Sequence, residues 1–164
     1  MLPFLSIGCM IAAVVVLIVL SVIDLRTRLL PNIWVTTFAG LGILFHWSAG
    51  GAYLGPAAVM LGGLAGFGTL FAIRAVANHL YKQDALGLGD VKLMGAAGLW
   101  LGPEGVMLAL SLGAFAGLLH GLAVGLYQAG KTGKKPDFTR LQIPAGPGFS
   151  VGIVLAGTYQ FLDL

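Results

Sequence analysis

The chain has 164 residues, of which 58% are hydrophobic and only 9% charged, with a formal net charge of +3. Its mean hydropathy of +0.95 leaves too little polar surface to coat a water-soluble globule of this size, so the composition excludes a soluble domain and specifies an integral membrane protein. No basic stripe interleaved with aromatics appears, which excludes nucleic acid as a partner; the positive excess reads as loops facing the anionic headgroups of a lipid bilayer.

The first uncharged stretch covers 2–23. About 20 apolar residues cross a bilayer as a helix, so this is one span, and without Lys or Arg it lacks the basic start of a cleaved secretory signal. Cys9, the single cysteine, lies inside it. One cysteine excludes an internal disulfide and a cysteine-based zinc site, and Cys9 reads as a small packing residue. The next uncharged stretch, 29–73, holds two spans, divided by the Gly/Pro-rich segment 48–56 into helices near 32–47 and 57–77. A shorter span follows near 85–101, then one within 105–130 and a last within 141–162. The fold class is therefore an all-α polytopic membrane protein, a bundle of about six transmembrane helices forming one domain over 1–164.

The nine Lys and Arg residues test that count. They fall in three places: Arg26 and Arg28; Arg74, Lys82 and Lys92; and Lys131, Lys134, Lys135 and Arg140. Alternate connections carry none. The positive-inside rule puts these three regions in the cytoplasm and both termini outside it. The short fourth span is the weak point, because a re-entrant segment there would throw the 131–140 loop to the wrong side.

Gly113, Gly117, Gly121 and Gly125 recur every four residues and bare one helix face for close packing, and Gly62 and Gly66 do the same in the third span. These glycine faces are also compatible with a homo-oligomer. Trp34 near the cytoplasmic boundary, and Trp47 and Trp100 near the outer one, read as interfacial anchors. His46, His79 and His120 lie at different depths without metal-site spacing, so no metal is expected, and His120 reads as a helix-to-helix hydrogen-bonding residue. Glu104 and Asp163 at the outer boundary, and Asp84 in a polar connection, read as solvated.

Two aspartates stand at the edges of long apolar runs. Asp24 ends the first span within Ile23-Asp24-Leu25-Arg26-Thr27-Arg28-Leu29-Leu30-Pro31-Asn32, and Asp90 opens the fourth within Gly87-Leu88-Gly89-Asp90-Val91-Lys92. The charge-derived topology puts both at one depth on the cytoplasmic side. Taken alone, Asp24 reads equally well as a helix-end residue paired with Arg26 or Arg28. Carboxyls beside hydrocarbon are costly and are retained mostly for function. Facing each other, both cannot ionise comfortably, so one keeps a proton. The protonated member then donates to a substrate carbonyl while the ionised member activates water against an amide, with titration steps belonging to the pair. Gly87 and Gly89 allow a tight helix entry and close approach of an extended peptide. Lys92 is placed to hold headgroups or bias the local field. Pro31 suits the start of the second helix, with Asn32 supporting it as a cap.

These pieces resemble the type IV prepilin peptidases, intramembrane aspartic peptidases of the G-x-G-D kind. The segment 23–32 looks like the family's first aspartate motif, and Gly87 to Lys92, continuing to Trp100-Leu101-Gly102, looks like its second. Ile143-Pro144-Ala145-Gly146-Pro147-Gly148 resembles the segment that opens the family's last helix, although Ala145 stands where longer members usually carry Phe. The resemblance extends from the first span to the sixth. It implies that Asp24 and Asp90 are catalytic, with Gly87, Gly89, Lys92, Pro31, Asn32, Pro144, Gly146 and Pro147 shaping the site or binding substrate. It implies cleavage of the basic leader from prepilins or pseudopilins at the cytoplasmic face of the inner membrane, with no cofactor. Because the chain begins at the peptidase core, the resemblance further implies the short form, without the N-terminal part linked to N-methylation.

The cleavage depth also follows from membrane physics. A peptide bond inside a transmembrane helix is locked by internal hydrogen bonds, so it must be unwound or cut where it emerges. A basic leader stays in the cytoplasm and its apolar segment in the bilayer, which puts their junction at the level of the two aspartates. Two other classes stay open on the residues alone. One is a small proton- or cation-coupled transporter, although no inverted repeat is visible and no span carries an acidic residue near its middle. The other is an inactive scaffold for pilus assembly.

Overall fold

A computed structural model of the chain describes residues 2–82, 86–132 and 144–162. Among these the regular structure is all helical: α1 (Pro3–Thr27), α2 (Asn32–Ser48), α3 (Pro56–Tyr81), α4 (Leu88–Thr132) and α5 (Gly146–Leu162). Proline stands in the first turn of α1 and α3, where its missing N–H is not needed. Three helices, α1, α3 and α4, are long and apolar enough to cross a membrane. Their outer faces expose large apolar side chains such as Ile7, Ile11 and Ile18 on α1 and Leu61 and Leu64 on α3, a surface suited to lipid rather than water.

α1 stops at Arg28, whose left-handed backbone (φ 56°) lets its N–H donate to the Asp24 carbonyl at 2.8 Å. The chain turns within four residues and α2 returns antiparallel. Its far end is fastened to the start of α1 by the Leu2 N–H on the Ser48 carbonyl at 2.9 Å and by the Ser6 and Ser48 hydroxyls at 2.8 Å. Pro31, with extended backbone, occupies the N-cap position of α2 and makes no side-chain cap bond. That corrects the expectation for Asn32, which is the first helical residue and turns its side chain to another helix.

The fourth and fifth helices expected from the sequence follow one another directly, with a break in the backbone between them. They are two arms of α4, joined at Gly102 (φ 68°, ψ −176°) and followed by Pro103. A methyl built on Gly66 would fall 2.9 Å from both the Met94 carbonyl carbon and Val106 Cγ2, whereas twelve residues of straight helix would separate those positions by about 18 Å. The chain therefore folds back on itself at Gly102. Only glycine adopts this positive φ without a steric penalty.

Glycine on glycine sets the spacing. The first arm, 88–101, lies so close to α3 that a methyl on Gly98 would run into the Gly62 carbonyl, and one on Gly66 into the Met94 carbonyl. The second arm, 103–132, lies against α5: a methyl on Gly148 would fall 2.9 Å from the Gly113 carbonyl, and one on Gly152 would collide with that of Ala109. Gly62, Gly66 and Gly113 carry packing as their spacing indicated. Gly98, Gly148 and Gly152 complete the contacts from the opposite side.

At the end of the bundle away from the aspartates, Trp100 is not an interfacial anchor. It is 4% exposed, stacked against Phe38 and Phe45 at 5.6 and 5.2 Å, and its Nε1 donates to the Phe38 carbonyl at 2.8 Å. The buried His46 ring meets the Trp100 carbonyl through Nε2 at 2.9 Å. Trp47, at 72% exposed, does face outward.

Candidate active site

Asp24 lies near the end of α1, and Asp90 is the third residue of α4. α1 and α5 run antiparallel, as do α3 and the first arm of α4, so the end of α1 and the starts of α4 and α5 meet at one end of the bundle. Arg26, Arg28, Arg74, Lys82 and Lys92 belong to the same end by their positions on these elements. Both aspartates are buried, at 5% and 8% exposed. Their carboxyls are close enough for the charge on Asp24 to act on Asp90.

Each carboxylate is held by the backbone at the N-terminus of a helix. The Gly146 N–H, at the first residue of α5, donates to Asp24 Oδ2 at 2.9 Å across 122 residues of chain. The Gly87 N–H, just before α4, donates to the Asp90 carboxylate, which is one half of a capping box. Both bonds use N–H groups that have no partner inside their own helix, and the positive end of each helix dipole favours the negative charge. One oxygen of Asp90, Oδ1, is buried without a hydrogen-bond partner among the described residues.

Glycine leaves the space these oxygens occupy. A methyl on Gly146 would fall 2.6 Å from Asp24 Oδ2, and one on Gly87 3.0 Å from Asp90 Oδ2. Gly89 faces away from the carboxyls, and a methyl there would meet Leu30 Cβ at 2.8 Å, so it seats the α1–α2 turn against the start of α4. Leu30 escaped the sequence reading because a leucine in an apolar run carries no distinguishing signal. Lys92 Nζ donates to Asn32 Oδ1 at 3.0 Å, tying α4 to α2 rather than reaching the aspartates. Arg74 Nη1 donates to the Leu86 carbonyl at 3.4 Å, which braces the approach to Gly87. Pro147 occupies the second position of α5 and Pro144 precedes the helix, where neither needs an N–H. Asp84 and Asp163 lie outside the described residues, and Glu104 is exposed at the opposite end. Among the described residues no three His, Cys, Asp or Glu side chains are grouped to hold a metal ion.

Residues 11–122 match the type IV leader peptidase family. The chain belongs to this family. Among its relatives, a prepilin leader peptidase/N-methyltransferase from Pectobacterium carotovorum is 33% identical over 83% of the chain and 46% of its own length. One from Klebsiella pneumoniae is 37% identical over 57% of the chain and 42% of its length, and one from Escherichia coli K12 is 33% identical over 66% and 48%. The chain thus spans less than half the length of these relatives. No solved structure matches it. Both aspartates fall inside the stretch matching the leader peptidase family, whereas α5 lies beyond it.

Proposed function

We propose that this protein is a prepilin leader peptidase that removes the basic leader from type IV prepilins or pseudopilins by an aspartic mechanism. The observation that carries the reading is the buried pair Asp24 and Asp90, drawn from α1 and α4 into mutual electrostatic reach in a chain of the type IV leader peptidase family. The alternating direction of α1, α2, α3, the two arms of α4 and α5 supports six crossings, with both termini extracytoplasmic and the basic end in the cytoplasm. In that arrangement the site lies at the cytoplasmic face of the inner membrane, within a single domain over 1–164.

The reaction follows from the pair. The protonated carboxyl donates to the carbonyl oxygen of the scissile amide, and the ionised one takes a proton from a water whose oxygen bonds to the carbonyl carbon. The C–N bond then breaks, and the departing amine takes up the transferred proton. The N–H groups of Gly87 and Gly146 hold the carboxylates in register, and Gly89 with Leu30, Lys92 with Asn32, and the prolines at 31, 144 and 147 shape the surrounding turns.

Co-expression with a tagged prepilin, read by gel shift and N-terminal sequencing, tests this. Leader loss that requires both aspartates is the expected result; a panel of prepilins left intact by the wild type would sink the reading.

A further inference from the structure

Resting on that reading, we infer that Gly146 is a positioning residue: its backbone N–H at the head of α5 sets the orientation of Asp24, and α5 reaches that point through the glycine contacts along its length. Gly146 is buried, as is Asp24, and their bond of 2.9 Å joins the last helix to the first. One oxygen of Asp24 is thereby committed to the protein. At Asp90, Gly87 stands on one side of the carboxylate, and the buried Oδ1 on the other has no hydrogen-bond partner among the described residues.

The position of Gly146 is decided further down the helix. Gly148 and Gly152 lie against the carbonyls of Gly113 and Ala109, and a methyl on Gly148 would also fall 3.0 Å from the Gly117 nitrogen. Side chains at these points would hold α5 away from the second arm of α4 and carry the Gly146 N–H off the carboxylate. Ala109 and Gly113 on α4 thus act on the site at a distance, by fixing how deeply α5 is seated. A misplacement of about 1 Å in such a group costs about a hundredfold in rate.

The test compares wild type, Gly146→Ala and Gly40→Ala, purified and reconstituted, acting on a prepilin the wild type cleaves. Gly40 is the control, because a methyl there meets nothing within 4 Å. For Gly146→Ala the expected result is a kcat lowered about a hundredfold, a KM within twofold of wild type and an unchanged thermal midpoint. Gly152→Ala, which displaces α5 from a distance, should lower kcat in the same way by a smaller factor. A Gly146→Ala kcat within twofold of wild type overturns the inference. A raised KM at constant kcat overturns it in favour of a substrate contact, and a lowered midpoint with parallel loss in all parameters overturns it in favour of plain structural support. Wild-type protein that cleaves no prepilin fails the function itself, and the inference falls with it.

Discussion

Gly62 and Gly98 meet backbone to backbone, so closely that a methyl on either would enter the other's peptide group. This contact joins α3 to the first arm of α4 and holds the arm that carries Asp90. Gly98→Leu should therefore reduce the folded fraction sharply, with an overpacking cost of about 1–3 kcal/mol or more. Fluorescence-detected size exclusion in detergent would show it as lost monodisperse protein. Gly8→Leu, where a methyl meets nothing within 4 Å, should leave the profile unchanged.

Asp24→Asn and Asp90→Asn each keep the shape of the side chain while removing its charge. Each should lower leader cleavage by at least about a hundredfold, the contribution of a positioned acid or base, with normal folded yield. Asp84→Asn should cleave at nearly the wild-type rate. Equal activity in all four proteins would remove the two-aspartate mechanism.

The Trp100 indole has a polar and an apolar role that two substitutions separate. Trp100→Phe keeps a ring against Phe38 and Phe45 but removes the indole donor to the Phe38 carbonyl, a loss of about 1 kcal/mol. Trp100→Ala also empties the stack, at about 3–5 kcal/mol. Unfolding in mixed micelles should rank them in that order; equal stabilities would mean the stack contributes nothing beyond the hydrogen bond.

At Gly102 the backbone conformation itself is the constraint. Gly102→Ala places a side chain at φ 68°, for about 1–2 kcal/mol, and sets its methyl 3.1 Å from Leu54 Cδ1. The measurable outcome is a lowered thermal midpoint with the helical content of the folded protein preserved. An unchanged midpoint would show that the reversal tolerates a Cβ.

The sequence by itself determined that this protein lives in a bilayer and which segments are helical there. Lipid offers no hydrogen bonds to a bare backbone, so a run of apolar residues in hydrocarbon must form a helix, and the rule acts residue by residue along the chain. Hydropathy and the Gly/Pro break placed the starts of α2 and α3 within a residue, while α3 runs four residues beyond its expected end at 77, and the alternation of basic connections led to the expectation that Asp24 and Asp90 share one end of the bundle. Tertiary structure alone decided which atoms meet. Nothing local distinguishes a tryptophan at the membrane interface from Trp100, sealed between two phenylalanines, nor a glycine between two helices from Gly102, where one helix doubles back. The Gly146 contact with Asp24 joins residues 122 positions apart. It exists because Gly148 and Gly152 let α5 settle against α4, and such close fit depends on the shapes of distant backbones rather than on any pattern within one segment.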